Sequence, residues 1–348
     1  MADGGFQKFT LNLVLSLPTP VLRALSGGGV VFQGGRTLDP RLQYLANAAR
    51  GQQGQAPLTP ETLRTLSAQQ LSLVCGPNEP GVVAEPHSIA GPGGPLALRV
   101  YRARGQDPRA PVLVFAHFGG GVTGDLETCD AFCQILARLA RCPVASVEYR
   151  LAPENRFPAG LEDVACAYRW ACEHAAELGA PAGRAAIGGD SMGGNFAAVI
   201  CQDLKRAGEP QPALQLLVYP AVDLASEAAS MSTYANAYPL SRALMDWFAS
   251  QYLGPDDDPK NPRASPLAAT DLSGLAPAVV ITAGFDPLVD QGEAYAKRLR
   301  DAGTPVIYRC YDALAHAFTA YTGVSPAADI ACREIAGLVR EGFEGRIH

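Results

Sequence analysis

Short apolar runs alternate with longer amphipathic stretches over most of the chain. The runs are nearly continuous in apolar residues, as strands buried on both faces are, and lie at 111–116, 143–148, 184–187, 214–219, 278–282 and 305–311. Apolar residues at helical spacing fill the intervals between them, at 126–141, 158–178, 288–302 and 326–343. This alternation predicts an α/β fold with a mostly parallel central sheet flanked by helices.

Two regions depart from this alternation. Residues 1 to about 90 show no strand pattern and contain helical stretches at 38–50 and 60–73, separated by a Gly/Gln/Pro-rich break at 51–57. The stretch 224–268 is too long for an ordinary connection, so we expect it to pack with the N-terminal helices as a cap. The expected domains are the first part of a helical cap, the first part of an α/β core, a cap insertion and the second part of the core, at 1–90, 91–223, 224–268 and 269–348.

Composition narrows the class of protein. Hydrophobic residues make up 48% of the 348 residues, enough for a large core, and the net charge of -6 is spread without a long basic run. This charge pattern indicates neither nucleic acid nor an anionic membrane surface as a partner. The nine cysteines include no C-x-x-C pair, which favours reduced thiols over disulfides or a zinc site. The apolar stretch 9–25 contains Pro18 and Pro20, and its apolar part before Pro18 is too short to span a bilayer. We therefore expect a soluble, cytoplasmic protein. An amphipathic cap segment that contacts a lipid-like substrate stays open for the stretch 9–25.

The clearest chemical motif begins where the run 184–187 ends. Gly189, Ser191 and Gly193 match the Gly-x-Ser-x-Gly pattern of a nucleophile elbow, a sharp turn from strand to helix that exposes the serine oxygen. Glycines are required there because the turn is strained and the chain segments are close. The helix N-terminus that follows favours developing negative charge. Ser191 is therefore the predicted nucleophile.

A nucleophilic serine requires a histidine base and an acid that orients it. Among the five histidines, His316 follows the run 305–311, at the edge where a parallel sheet presents functional residues. Asp286 directly follows the run 278–282 and precedes His316, as the acid does in hydrolases with this elbow. Asp290 is the alternative acid, and Asp286 could instead serve only as a helix cap.

The oxyanion of the reaction requires backbone N–H donors. One is the N–H of Met192, the residue after the nucleophile, and the others should come from the glycine loop 117–121 after the run 111–116. We expect His117 to brace this loop by hydrogen bonding rather than to act as a base. Arg150 and Glu154 could act in catalysis, but we expect them instead to tie the loop beneath the site by buried hydrogen bonds or an ion pair.

These stretches together resemble the hormone-sensitive-lipase-like (bacterial type IV) branch of the α/β-hydrolases over residues 38–342. The signatures are 117–121 with 124–126, 149–154, 189–193, 286–288 and 316–318. The resemblance implies an esterase with a helical cap that uses Ser191, Asp286 and His316. It implies no metal or organic cofactor and is compatible with a homodimer.

Two positions differ from the family pattern. Phe118 stands where the family loop has its first glycine, and keeping the family spacing puts Gly119 and Gly120 at the oxyanion-hole positions. A slip of one residue would use Gly120 and Gly121 instead. Met192 replaces the usual alanine, and its side chain could crowd the acyl pocket together with Phe118. We assign Phe118 and Gly121 to the substrate pocket.

The sequence therefore predicts a serine carboxylesterase that acts on a small-molecule ester through an acyl-enzyme. By the resemblance, its acyl chains are short to medium. Amidase or acyltransferase chemistry on the same three residues stays open, as does a ligand-binding receptor on this fold. The receptors of this branch lack a working histidine, whereas His316 is present here.

Overall fold

The computed structural model describes residues 2–50 and 58–347, so the predicted break at 51–57 lies outside the described residues. Its main feature is a sheet of eight strands in the order β10-β9-β8-β7-β5-β6-β4-β3. The strands from β10 to β6 are parallel, and β4 and β3 are antiparallel. The strands β3 to β10 form this sheet, and β1 and β2 lie outside it. In chain order the strands are β1 Phe32–Gln33, β2 Arg36–Thr37, β3 Val82–Gly91, β4 Gly94–Ala103, β5 Val112–Ala116, β6 Val144–Val147, β7 Ala185–Asp190, β8 Gln215–Val218, β9 Ala278–Phe285 and β10 Val306–Ala315. The predicted α/β fold class is confirmed.

Helices cover both faces of this sheet. They are α1 Ala2–Leu15, α2 Thr19–Leu25, α3 Pro40–Arg50, α4 Pro60–Val74, α5 Asp130–Leu139, α6 Ala159–Glu173, α7 Met192–Ala207, α8 Ala229–Thr233, α9 Arg242–Tyr252, α10 Val289–Asp301 and α11 Pro326–Phe343. Two short 3₁₀ helices lie at Pro266–Ala268 and Phe318–Tyr321. No helix in the described ranges is long and apolar enough to cross a membrane.

The core consists of two apolar clusters, which successive residues of β5 divide between them. Leu113 and Phe115 belong to one cluster, and Val112 and Val114 belong to the other. Neighbouring side chains of a strand point to opposite faces, so a strand buried on both sides must be apolar throughout. The continuous run at 111–116 has this cause.

The expectation of no strand before residue 91 was wrong. β3 covers Val82–Gly91 and pairs with β4 in a hairpin that turns at 91–94. Its residues are either exposed or only partly buried, because β3 is an edge strand, and Pro86 is tolerated there. The lack of a regular apolar alternation and the proline hid this strand in the sequence.

Two other boundaries also differ from the prediction. α5 begins at Asp130 rather than 126, because the Asp125 carboxylate accepts hydrogen bonds from the N–H groups of Glu127 and Thr128 and forms a turn. β10 continues past 311 to Ala315 after an irregularity in its pairing with β9. His316 therefore follows the strand directly.

Candidate active site

The elbow between β7 and α7 holds Ser191 in a strained backbone conformation, with φ 53° and ψ −115°. The chain segments around it are too close for side chains. A Cβ at Gly193 would lie 1.9 Å from the Ala116 carbonyl oxygen, and one at Gly189 would lie 2.3 Å from the Gly193 carbonyl carbon. The glycines of the motif are thus required by contact between β5, β7 and α7.

Ser191, His316 and Asp286 lie in one chain of hydrogen bonds. The Ser191 Oγ is 2.9 Å from His316 Nε2, and His316 Nδ1 is 2.7 Å from Asp286 Oδ2. The Nδ1–H donates to the carboxylate, so in the neutral ring Nε2 is free to accept the serine proton. All three side chains are buried, with 7% of Ser191 exposed, 4% of His316 and none of Asp286.

The two carboxylates considered as the acid have different partners. Asp286 accepts from His316 through Oδ2 and from the backbone N–H of Leu288 through Oδ1 at 2.9 Å. It therefore faces the histidine and also caps the turn into α10. Asp290 accepts from the backbone N–H of Ser230. That bond joins α10 to α8.

The glycine loop after β5 has left-handed backbone at three consecutive positions. The φ angles of Gly119, Gly120 and Gly121 are 130°, 65° and 72°, values that favour glycine. Among the described residues, no acceptor takes a hydrogen bond from their N–H groups or from that of Met192. Both registers of the oxyanion hole therefore have free donors.

His117 braces this loop as the sequence suggests. Its Nδ1 donates to the Phe118 carbonyl at 2.8 Å, and its ring stacks on Tyr149 with centroids 4.2 Å apart. Tyr149 in turn donates its hydroxyl to the His117 carbonyl. Burial lowers the pKa of His117 to about 4, so the ring is neutral at pH 7.

Phe118, Gly121 and Met192 have distinct surroundings. Phe118 is half-buried and packs against one core cluster, while the Met192 side chain lies inside the other and is 3% exposed. Gly121 lies against the ring of Tyr252, so a Cβ there would be 2.8 Å from that ring. A Cβ at Gly120 would likewise lie 2.5 Å from the ring of Phe248. Thus α9 covers the glycine loop.

A small apolar cluster beside the nucleophile was not foreseen from the sequence. The Ala221 N–H donates to the Ser191 carbonyl at 3.1 Å, which puts the cluster next to the triad. Its members come from the 224–268 segment and the turns around it: Ala221, Leu224, Leu240, Leu244, Met245, Phe248 and Leu288. The segment's irregular composition gave no periodic signal for them.

Asp190 is the second feature that the sequence did not reveal. It is fully buried and accepts from the Tyr219 hydroxyl at 2.8 Å, the Thr319 hydroxyl at 2.9 Å and the Cys129 thiol at 3.4 Å. Tyr219 also packs on the His316 ring, with centroids 4.7 Å apart. Burial raises the pKa of Asp190 to about 6, and the two hydroxyls act in the opposite direction. The only sequence signal that could have identified Asp190 is the presence of an acidic residue at the end of an apolar strand.

The ion pairs expected of Arg150 and Glu154 are present. Arg150 binds Asp163 with Nε and Nη2 at 2.8 and 2.9 Å, and its backbone N–H donates to the same carboxylate. Glu154 pairs with Arg64 of α4 through two hydrogen bonds of 2.8 Å, which lower the pKa of Glu154 to about 2. Arg64 also donates to the carbonyls of Val122 and Ala152, which ties α4 to the glycine loop.

Comparison with known proteins gives consistent relatives. The family described as alpha/beta hydrolase fold matches residues 113–320. The carboxylic ester hydrolase LipN of Mycobacterium tuberculosis is 45% identical over 314 residues, which cover 87% of this chain and 82% of LipN. The ethyl acetate hydrolase of Pseudomonas putida is 36% identical over 72% of this chain and 80% of its own length. A solved ester hydrolase from the metagenome of Lake Arreo has a TM-score of 0.84 and 39% identity, covering 88% of this chain and 99% of that one.

Proposed function

The chain belongs to the hormone-sensitive-lipase-like esterases of the α/β-hydrolase superfamily, and from that premise we propose that Ser191, His316 and Asp286 carry out its reaction. It is a carboxylic ester hydrolase, as its relatives are. The observation that carries the proposal is the pair of hydrogen bonds, at 2.9 and 2.7 Å, that joins the three side chains. This arrangement matches the order of nucleophile, base and orienting acid that acyl transfer requires.

Acylation begins when Ser191 Oγ attacks the ester carbonyl carbon and His316 Nε2 takes the hydroxyl proton. Asp286 holds the imidazole through Nδ1–H and stabilises the cation that forms. The tetrahedral intermediate then expels the alcohol, which receives the proton from His316. The acyl group remains on Ser191.

The oxyanion of this intermediate is proposed to accept hydrogen bonds from the N–H groups of Gly119, Gly120 and Met192. Their freedom from other partners within the described ranges supports this role. The left-handed glycine backbone also lets the loop approach the substrate without a Cβ in the way. Deacylation reverses the steps, with water in place of the alcohol, and releases the acid.

The acyl chain is proposed to be short to medium. The cluster built on Ala221, Leu240 and Leu288 offers apolar contacts beside Ser191. Phe248 and Tyr252 press against the glycine loop and leave it covered from the side of α9. We assign Phe118 and Gly121 to the walls of the pocket that would hold this acyl chain.

A cytoplasmic location and a homodimer belong to the same proposal. All nine cysteines lie in the described part of the chain and are unpaired, as in reducing compartments. The outer side of β10 has no strand partner among the described residues, so this edge could pair with a second copy before Ala313, whose carbonyl accepts from the Asp39 N–H. Cell fractionation would test the location. Light scattering would test the dimer, which predicts twice the 36.5 kDa of the chain.

We also propose the expected domain division with one boundary moved, so that the cap segments are 1–81 and 224–268 and the core segments are 82–223 and 269–348. Contacts between Arg64 of α4 and the core loop near Val122 support a cap seated beside the site. β3 occupies 82–91 and belongs to the core sheet, so the first cap segment ends before it.

Hydrolysis of p-nitrophenyl esters from acetate to palmitate tests the function. The wild type should turn over the short and medium esters, and Ser191→Ala should lose this activity. Persistent activity in Ser191→Ala would discard the assignment of the nucleophile. A matched series of p-nitrophenyl amides, and of esters with added alcohols, would reveal amidase or acyltransferase chemistry instead.

A further inference from the structure

Exposed apolar side chains are concentrated in the N-terminal helices. Within the described residues, only Val83 and Ile330 among the large exposed apolar side chains lie outside residues 6–66. The others are Phe6, Phe9, Leu13, Val21, Leu25, Val30, Phe32, Leu58 and Leu66. Scattered apolar residues are normal on a surface, but a concentration of this kind marks an interaction site.

α1 shows this feature most clearly, because it is apolar on two sides. Leu15 packs within the core cluster, with Leu11 and Val14 against it. Phe6, Phe9 and Leu13 lie on a single outer stripe at helical spacing and are exposed by 70%, 67% and 59%. A helix that is apolar on both sides requires a second apolar environment.

The charge of this region differs in sign from that of the rest of the chain. Residues 1–50 contain five Lys and Arg but only two acidic residues, whereas residues 51–348 contain 23 and 32. Of the two acids, Asp39 is buried and accepts from backbone N–H groups at the start of α3. Arg36 forms an ion pair with Asp312 at 2.8 Å, so the other four cations account for the basic character of this segment, which the net charge of -6 for the whole chain conceals.

The positive charge of this segment also indicates whether a second copy of the chain or a lipid surface covers the outer stripe of α1. A symmetric dimer through the stripe would place two positive segments against each other, since such a contact uses the same patch on both copies. An anionic lipid surface supplies both the apolar depth for Phe and Leu side chains and the opposite charge, and the cytoplasmic leaflet has this character.

We propose that the outer stripe of α1, formed by Phe6, Phe9 and Leu13, docks the enzyme onto an anionic phospholipid surface. α4 connects this docked region to the active site. Lys8 of α1 donates to the Cys75 carbonyl after α4, and Arg64, roughly 16 Å away near the other end of α4, donates to Val122 beside the glycine loop. Docking would thus hold the enzyme at the surface in which lipid-soluble esters are dissolved.

Co-sedimentation with vesicles tests the proposal. The wild type should bind vesicles of phosphatidylcholine and phosphatidylglycerol, and bind pure phosphatidylcholine vesicles more weakly. Added NaCl should weaken binding to the mixed vesicles. The Phe6→Ser, Phe9→Ser, Leu13→Ser triple variant should lower the partition coefficient by about tenfold or more.

The matched control is Val83→Ser with Ile330→Ser, which removes exposed apolar side chains elsewhere and should change the coefficient by less than about twofold. Hydrolysis of soluble p-nitrophenyl butyrate should be retained in both variants, which shows that they fold. Vesicle binding by Ser191→Ala should equal that of the wild type, so this test does not depend on the esterase assignment. Absence of binding, equal loss in the control, or a dimer that dissociates only in the triple variant would overturn the proposal.

Discussion

The reactive serine depends on its neighbours' lack of side chains as much as on its own hydroxyl. Ser191 has positive φ, and the chain around it approaches within contact distance at Gly189 and Gly193. Strain of this kind persists only where the surroundings enforce it. Here β5, β7 and the first turn of α7 press together and lift the hydroxyl toward His316.

Gly193→Ala should therefore be severely damaging. Its Cβ would lie 1.9 Å from the Ala116 carbonyl, and both groups are backbone, so the elbow must open. We expect a loss of about 3 kcal/mol or more in the free energy of unfolding and at least about a hundredfold in kcat/KM. Gly337→Ala in α11 is the control, because nothing lies within 4 Å of its Cβ. It should raise stability by about 0.5–1 kcal/mol. Similar results for the two variants in urea unfolding would contradict this account.

Asp190 connects three parts of the site that are distant in sequence. Tyr219 follows β8, Thr319 follows His316 by three residues, and both donate to the carboxylate beside Ser191. Hydrogen bonds to a buried charge are among the stronger ones in proteins. The network thereby fixes the distance between nucleophile and base.

Asp190→Asn should lower kcat by about tenfold to a hundredfold with little change in KM. The neutral amide loses the charge that strengthens the bonds from both hydroxyls, and its NH2 group replaces the oxygen that accepts from the Cys129 thiol. Steady-state kinetics on p-nitrophenyl butyrate measure this. Asp203→Asn, on the exposed side of α7, should match the wild type, since its partners Arg206 and Arg263 are half-exposed. An unchanged kcat in Asp190→Asn would refute the positioning role.

At the scale of elements, Arg64 is one of several side chains that attach α4 to the core, together with Gln70, which donates to Tyr321, and the buried Val74. Arg64 reaches two loop carbonyls and grips Glu154 with both terminal nitrogens. Arg64→Lys should cost about 1–2 kcal/mol of unfolding free energy, because an ammonium cannot reproduce the planar fork. Arg169→Lys alters an exposed pair with Glu209 and should stay within about 0.5 kcal/mol. Equal shifts in Tm for the two variants would show that the hydrogen bonds of Arg64 do not contribute more to stability than an exposed ion pair.

His117 of the glycine loop should make the free energy of unfolding depend on pH. Its native pKa of about 4 lies below the ordinary 6.5, so between these values the unfolded chain binds the proton more tightly than the native one. The free energy of unfolding therefore falls as pH drops from 7 toward 4, by about 2–3 kcal/mol from this group.

His117→Gln should be less stable than the wild type at pH 7, because it loses the bond to Phe118 and the stacking on Tyr149. It should lose less stability on acidification, since no imidazole needs to be protonated. Urea unfolding at pH 7 and 4.5 measures the difference. An identical pH dependence in the two proteins would show that His117 does not contribute.

Helices and strands were predictable from the sequence where their apolar residues are regularly buried against the core. α11 has the bounds expected from its periodicity, and β5 differs by one residue, because each packs apolar residues against the core. β3 was missed because an edge strand is half-exposed and can hold Pro86. The start of α5 was misplaced because a side chain of the preceding turn, Asp125, occupies the N–H groups there.

At the scale of the whole molecule, the site was predicted mainly from the positions of its residues after successive strands. The carboxyl ends of parallel strands meet at one edge, so residues following β7, β9 and β10 could be expected together. The proximity of Ser191, Asp286 and His316 was predictable for this reason. Contacts that depend on packing were not, such as Phe248 against Gly120 or Tyr219 against His316. No periodic pattern records which side chains meet across a folded interface.

Covalent labelling tests the central claim, that Ser191 is the nucleophile, most directly. A p-nitrophenyl phosphonate reacts with an activated serine to form a stable adduct that resembles the tetrahedral intermediate. We predict one nitrophenolate released per chain and a mass increase confined to the peptide that contains Ser191. Ser191→Ala should show neither, and His316→Asn should react far more slowly. A label on another residue, or equal labelling of Ser191→Ala, would contradict the mechanism.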